Sequence, residues 1–453
     1  MLEFRKIHFI GIGGISMSAL AVLASQSGAW VSGSDRENSK TLERLGKCGL
    51  KVYVGHDNSI VAGCDLVVYS GAVGDDDPEL KFARTNRIRC MERKAFLALM
   101  AKECNACVAI AGSHGKTTTT AMLCWILKNL GTAFRGHVGG IINGIGANYV
   151  DDSNDLFVTE ACEYKRSFLA LEPTVGVILN SAYDHPDTYP TKEDMYAAFR
   201  QFAEQSHVVL AEENCARTLG LYSIENGRDK VYTFGLDEKA DFCAADIREE
   251  RGRFSFTALF RGETIAKVNL AVYGRHNVLN ALACIAVCRI LWQDAAQAGR
   301  YLADFKGVER RFEYMGKCAS GADIIADYAH HPDEICSAVD TLRLMTKGRI
   351  VAVFEPHTYS RTKALLEEFS HCFFWTDELL ILPAYSARED KEQGLDGVDL
   401  ACYINKRGEC ALYMDDYDKA YDYIVRHTGG EDVVLVLGAG SVYSLAQRLA
   451  KKQ

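Results

Sequence analysis

The sequence predicts an α/β protein of three domains, each built on a mostly parallel sheet with helices on both faces. Three observations carry this. Short apolar, β-branched runs alternate with helical patterns from end to end. Two of those runs pass straight into glycine turns that open helices, and 453 residues exceed what one ordinary core organises. Motif order places the domains at residues 1–106, 107–312 and 313–453.

The first domain opens with a strand at residues 7–10 that runs into Gly11-Ile-Gly-Gly-Ile-Ser16, and a second strand at 30–34 delivers Asp35. A glycine turn between strand and helix lets backbone N–H groups meet a pyrophosphate, with the acid free for a ribose hydroxyl. Ser16 stands at the third glycine position of the dinucleotide fingerprint. Two ligands therefore stay open here, a nicotinamide dinucleotide and another nucleoside diphosphate such as a UDP-sugar; a purely structural turn is the third reading. Ser70 ends another strand, on the edge where ligands gather in open α/β sheets. A helix pattern from Arg93 to Met100 closes the domain.

The second domain begins with an apolar strand at 107–111, then Gly112-Ser-His-Gly-Lys-Thr-Thr118 at the head of a helix patterned to residue 130. Gly112 and Gly115 let the backbone close on phosphate oxygens, free N–H groups at the helix start face the anion, and Lys116 brings charge for the β- and γ-phosphates. Thr117 or Thr118 can hold Mg²⁺ through its hydroxyl. The turn is a variant of the P-loop, with Ile110 where the general pattern has its first glycine.

Strands at 156–159 and 175–179 lead to Glu160 and to Asn180-Ser-Ala-Tyr-Asp-His-Pro-Asp187. A carboxylate at the sheet's carboxyl edge suits Mg²⁺, which takes oxygen ligands and keeps waters. Asp184, His185 and Asp187 are candidates for a second metal or for moving protons. After a strand at 208–211, residues 240–272 read as short antiparallel strands. Gly274-Arg-His-Asn277 then starts a helix whose amides can meet a base or ribose, or in which Asn277 does no more than cap.

The third domain carries strands at 324–326, 350–354, 379–382 and 433–437. Glu309-Arg-Arg-Phe312 and Asp327-Tyr-Ala-His-His-Pro332 fall at its junction with the second, and Arg361 follows one of its strands. Such arginines supply the bidentate donors that a polyphosphate cleft needs.

A net charge of -9 argues against a nucleic-acid partner, which calls for a basic surplus. No apolar run approaches the length of about 18 residues that inserts into a membrane, and the charged start predicts no signal peptide. The 16 cysteines are dispersed, many in apolar helices, with a single C-x-x-C pair at Cys104 and Cys107 and no second pair to complete a four-thiolate site, which predicts reduced thiols and no zinc cluster made of them.

In order, Gly11-Ile-Gly-Gly14, Gly33-Ser-Asp35, Gly112 to Thr118, Glu160-Ala-Cys-Glu163, Asp184-His185, Gly274-Arg-His-Asn277, Arg310-Arg311, Asp327-Tyr328, His330-His-Pro332, Pro356-His357 and Gly438-Ala-Gly440 resemble the motif series of the Mur ligases. The resemblance runs along the whole chain and is nearest to the alanine-adding branch. It implies an N-terminal Rossmann-like domain for a UDP-sugar, a central P-loop ATPase-type domain, and a C-terminal Rossmann-like domain that closes over both. It also implies a cytoplasmic step of peptidoglycan synthesis. ATP phosphorylates the lactyl carboxylate of UDP-N-acetylmuramate, and the amine of L-alanine then displaces phosphate, with Mg²⁺ as metal cofactor.

By the same resemblance, Gly11, Gly13, Gly14, Asp35, Ser70 and Arg93 surround the UDP end. Gly112, Ser113, His114, Gly115, Lys116, Thr117, Thr118, Asn277, Arg310 and Asp327 serve ATP. Thr117, Glu160 and His185 bind metal; Lys116, Glu160 and His185 are catalytic; His331 and Arg361 face the amino acid. Many relatives have a carbamylated lysine beyond the Asp-His pair, where this chain has Arg200. Glu160-Ala-Cys-Glu-Tyr-Lys165 also departs from the commoner Glu-Ala-Asp-Glu-Ser-Asp, so Glu163 and Lys165 carry no implied role. The rivals are a ligase that recycles preformed peptides onto the same nucleotide sugar, and a nicotinamide-dependent dehydrogenase, which gives the central turn no purpose.

Overall fold

Three sheets in succession organise the chain in a computed structural model that describes residues 3–450 apart from 226, 388, 392, 393 and 409. The first sheet holds β1 (Lys6–Ile10), β2 (Trp30–Asp35), β3 (Lys51–Val54), β4 (Leu66–Tyr69) and β5 (Arg89–Glu92). All are parallel, in the order β3-β2-β1-β4-β5. The order reverses at β1, so a crevice opens at its carboxyl end, where Gly11 turns the chain into the helix Ile15–Gln26.

The central sheet has ten strands: β6 (Ala106–Ala111), β7 (Arg135–Ile142), β8 (Ala147–Asp151), β9 (Leu156–Glu160), β10 (Val175–Ile178), β11 (Val208–Glu212), β12 (Val231–Gly235), β13 (Phe242–Glu250), β14 (Arg253–Phe260) and β15 (Glu263–Tyr273). Their order is β15-β14-β13-β12-β11-β10-β6-β9-β7-β8. The antiparallel stretch expected at 240–272 is the β13-β14-β15 meander, and a second antiparallel pair, β7 with β8, borders the other edge. The third sheet, β16 (Glu313–Lys317), β17 (Asp323–Asp327), β18 (Ile350–Phe354), β19 (Glu378–Ile381), β20 (Ala411–Tyr413) and β21 (Val433–Leu437), runs β16-β17-β21-β18-β19-β20. Only β16 is antiparallel to its neighbour there.

Burial explains why these segments fold as they do. Strands β6, β18 and β21 are apolar throughout and covered on both faces, as interior parallel strands must be. Helices Lys116–Leu130 and His276–Ile290 pack against each other under the central sheet, burying Cys124, Cys284 and Cys288 at 0% exposure. All sixteen cysteines are free thiols. One apolar cluster continues from Phe96 and Met100 of the first domain to Phe168 and Phe202 of the second, which fixes the two against each other. Among the described residues, no helix is long and apolar enough to cross a membrane.

Candidate active site

The turn after β6 is shaped by what a side chain would strike. Gly115 has φ +84°, and a Cβ there would sit 2.8 Å from Asn280 Oδ1. Only glycine takes this backbone at no steric cost. Ser113 Oγ donates to Ala182 O at 2.5 Å, and Asn180 accepts from His114 N while donating to His114 O, both at 3.0 Å. The turn is therefore pinned to the end of β10, and the helix Lys116–Leu130 starts directly beneath it.

Lys116 folds back over the turn. Its Nζ donates to Gly112 O at 2.5 Å, Ser113 O at 3.0 Å and Glu163 Oε1 at 3.0 Å. Glu163, 1% exposed, joins Lys116 to His185, whose Nε2 lies 3.3 Å from Oε1. Burial opposes charge on this carboxyl, but Lys116 and His185 outweigh it and hold Glu163 below the usual carboxylate range. His185 adopts φ +58°, a left-handed backbone costing about 1–3 kcal/mol in a non-glycine residue, which directs strain into this cluster. The chain of groups continues into the third domain. Arg361 Nη2 donates to Asp184 Oδ1 at 3.0 Å and lies 3.5 Å from His185 Nδ1.

Thr117 Oγ1 donates to Glu160 Oε2 at 3.1 Å, and Gly139 N donates to Oε1 at 2.5 Å. Burial dominates here and raises the Glu160 carboxyl, against the smaller effects of Gly139, Lys116 and Arg311. A half-buried carboxylate beside a hydroxyl offers hard oxygen donors of the kind Mg²⁺ takes. Thr117 pairs with Glu160, His185 with Glu163, and Glu160, Glu163 and His185 do not converge within 4.8 Å among the described residues. Asp187 is exposed.

A cavity of about 880 Å³ lies between the second and third domains, lined by Gly115, Thr118, Asn180, Asn277, Arg311 and Asp327 among others. Asn277 is not the helix cap that its position suggests. Arg275 occupies that place, and Asn277 Nδ2 reaches back to Tyr273 O at 2.6 Å while Oδ1 accepts from Asn280. Of the adjacent arginines, Arg311 lines the cavity, whereas Arg310 stacks between Tyr328 and Tyr443 and donates to Gly440 O at 3.0 Å. Arg310 thus clamps the junction to the loop after β21. Burial raises Asp327 to about 6, with Arg311 opposing. His331 caps the helix Pro332–Met345, accepting from Asp333 N at 3.3 Å, and its ring lies 4.7 Å from that of His114.

His114 also bridges the domains, with Nδ1 3.2 Å from Glu334 Oε1 and Nε2 3.7 Å from Asp333 Oδ2. Burial disfavours its charge, but those carboxylates prevail and raise it to about 9 from an ordinary 6.5. A raised histidine stabilises the fold fully below pH 6.5, and that contribution is lost as pH rises through about 9. Thermal unfolding across this window is expected to show a decline in wild type that His114→Gln lacks; parallel curves would contradict the bridge.

At the first domain's crevice, Gly13 N donates to Asp35 Oδ2 at 2.8 Å and Arg36 N to Oδ1 at 2.8 Å, so Asp35 braces the glycine turn. Gly14 N donates to Gly11 O at 3.3 Å, and Ser70 closes the other side, its Cβ 3.3 Å from where a Gly11 side chain would start. Arg93 Nη1 donates to Ser16 Oγ at 3.2 Å. Ser16 Oγ also bonds His137 Nε2 at 2.8 Å, and His137 Nδ1 bonds Thr159 Oγ1 at 2.9 Å. The residue at the third glycine position thus ties the first domain to the strand that carries Glu160.

Comparison with known proteins bears on all three domains. Residues 6–104 match the model described as Mur ligase family, catalytic domain; 110–288 match the Mur ligase middle domain; and 310–440 match the Mur ligase, glutamate ligase domain. A UDP-N-acetylmuramate–L-alanine ligase of Caldanaerobacter subterraneus subsp. tengcongensis is 40% identical over 99% of this chain and 98% of its own. The chain belongs to the Mur ligase family. A second such ligase, from Acetivibrio thermocellus, is 39% identical over 99% of this chain and 96% of its own. The crystal structure of the UDP-N-acetylmuramate-alanine ligase of Thermotoga maritima superposes with a TM-score of 0.83 at 29% identity, covering 98% of both chains.

Within this Mur ligase, Arg200 is bonded to its own helix and to the turn at residues 220–223. It donates to Glu204 Oε1 at 3.4 Å, Gly220 O at 3.4 Å and Ser223 Oγ at 3.1 Å. The residue that sequence reasoning left without a role is Glu163, the hub between Lys116 and His185. Its spacing from Glu160 was the available signal, since a strand end followed by a turn can return both carboxylates to one edge.

Proposed function

We propose that this chain is an ATP-dependent ligase that joins L-alanine to the lactyl carboxylate of UDP-N-acetylmuramate through an acyl phosphate, in cytoplasmic synthesis of peptidoglycan precursors. Residues 1–106 bind the UDP-sugar, 107–312 bind ATP, and 313–453 close over both. The observation that carries this is the line of contacts from the Gly112–Thr118 turn through Lys116, Glu163, His185 and Asp184 to Arg361, because it puts a phosphate cradle and a closing domain on one reaction centre. A nicotinamide enzyme has no use for that line.

ATP lies with its triphosphate on the turn and its adenosine toward Asn277 and Asp327 in the cavity. A γ-phosphoryl oxygen replaces a backbone carbonyl on the Lys116 ammonium, whose direction Glu163 already fixes. A lactyl carboxylate oxygen forms a bond to the γ-phosphorus as the bond to ADP breaks. The alanine nitrogen then attacks the acyl carbon, phosphate leaves with the former carboxylate oxygen, and the proton that the amine gives up ends on the departing phosphate. Arg361 and His185 bound the space where the amine arrives. Thr117 with Glu160, and separately His185, would hold Mg²⁺, which supplies charge neutralisation for the transferring phosphoryl group when bound.

Phosphate release in reactions lacking ATP, Mg²⁺, UDP-N-acetylmuramate or L-alanine in turn tests the reading. Release is expected only with all four; release without the nucleotide sugar or the amino acid overturns it. Gly13→Ala is a narrower probe, since its Cβ would meet Asp35 Oδ2 at 2.7 Å. Losing the charge-assisted bond there costs about 1.5–3 kcal/mol. Calorimetry should therefore show UDP-N-acetylmuramate bound about ten to a hundredfold more weakly, with ATP affinity unchanged.

A further inference from the structure

The first domain holds a second polar cluster, which the ligase reading does not use. His56 follows β3, Asp77 and Glu79 open the helix Pro78–Thr85, and His8 and Ser32 lie on β1 and β2. Asp77 and Glu79 are 8% and 0% exposed, and among the described residues their ion-pair partners are histidines alone. Two buried carboxylates without a lysine or arginine are unfavourable unless a cation joins them.

The ligand atoms already converge. His56 Nδ1 lies 3.6 Å from Asp77 Oδ2 and 3.8 Å from Glu79 Oε2, and the three atoms fall within 4.8 Å of one another. A tetrahedral ion with ligand bonds of about 2.0–2.1 Å has ligand-to-ligand edges of about 3.3 Å, so small side-chain movements complete the set. The remaining atoms are anchored elsewhere. Asp77 Oδ1 accepts from Glu79 N at 3.0 Å and Leu80 N at 3.1 Å, which leaves Oδ2 for a ligand. Glu79 Oε1 accepts from Asp57 N at 2.9 Å, and the Ser34 hydroxyl donates to Oε2.

Beneath the triad is His8, wholly buried. Its Nδ1 bonds Ser32 Oγ at 2.8 Å, while Nε2 has no hydrogen-bond partner and faces Glu79 Oε2 from 3.5 Å. A hydrogen bond on one ring nitrogen with the other left free is how proteins set the tautomer of a ligating histidine. The His56 side chain, 35% exposed, gives an ion its entry.

We propose that His56, Asp77 and Glu79, backed by His8, form a site for a divalent transition-metal ion such as Zn²⁺. Imidazole nitrogen favours such ions over Mg²⁺. The ion joins the loop after β3 to the helix start after β4, clipping the two sides of the first domain's ligand edge.

The test uses the full chain, stripped with a chelator and titrated with Co²⁺, then Zn²⁺. One equivalent of Co²⁺ with a visible band of tetrahedral intensity and no thiolate charge-transfer band is expected, with displacement by Zn²⁺ and a rise in thermal midpoint. His56→Ala and Asp77→Asn, the latter keeping the oxygen that caps the helix, should each lose the band and the rise. His331→Ala, which disrupts the separate His114, His331, Asp333 grouping, should keep both. Absence of a bound equivalent, a thiolate band, or a band that survives either first-domain variant overturns the proposal.

Discussion

Lys116→Ala is expected to lower turnover by about a thousandfold, the upper range for removing one preorganised donor to a developing charge, while UDP-N-acetylmuramate still binds the first domain. Part of any loss will be structural, because Glu163 keeps only the His185 ring beside it, among the described residues, once the ammonium has gone. Breaking one side of a buried ion pair costs about 3–5 kcal/mol. Glu163→Gln added to Lys116→Ala removes that uncompensated charge. The double variant should therefore regain denaturant stability without regaining phosphate release. Recovery of turnover in the double variant would mean that Lys116 serves only to neutralise Glu163.

Arg361→Ala should reduce kcat by about a hundredfold, the scale on which misplacing reacting groups by an ångström is felt. Arg361 is 6% exposed and lies 177 residues from Asp184 in sequence, so its hydrogen bond carries the third domain onto the centre. Burial alone would raise Asp184; the guanidinium outweighs it and holds the carboxyl well below its ordinary range. That depressed carboxyl gives stability at neutral pH that is lost as pH falls through its folded value. Arg361→Ala should shrink this acid-side loss, and Arg361→Lys should restore stability more fully than kcat, since a lysine supplies charge without the planar fork. ATP affinity measured in the absence of the other substrates should change little; a loss as large as that of kcat would place Arg361 on the nucleotide instead.

Much of this was legible in the sequence because the decisive elements are interior. Strands β6, β10, β18 and β21 are continuous apolar runs, and each ends where the chain must turn toward the site. Edge strands left weaker traces. Lys51–Val54 has no residue fully buried, and Ala411–Tyr413 spans three residues, so neither shows a burial period to read. At the site, residues on glycine turns were visible because backbone geometry dictates residue type. Long-range partners were not. Nothing local says that Arg361 meets Asp184, that Ser16 meets His137, or that Arg311 rather than Arg310 faces the cavity. The Asn277 cap failed because its side chain turns back on Tyr273 O instead of forward onto the helix.

The central claim is that ATP activates the carboxylate itself. Single-turnover reactions with UDP-N-acetylmuramate carrying ¹⁸O in both lactyl carboxylate oxygens, ATP, Mg²⁺ and L-alanine read this directly by mass spectrometry of the released phosphate. An acyl phosphate requires that one labelled oxygen leave with each phosphate, the other remaining in the new amide. Unlabelled phosphate, with the expelled labelled oxygen appearing in water, would contradict the account.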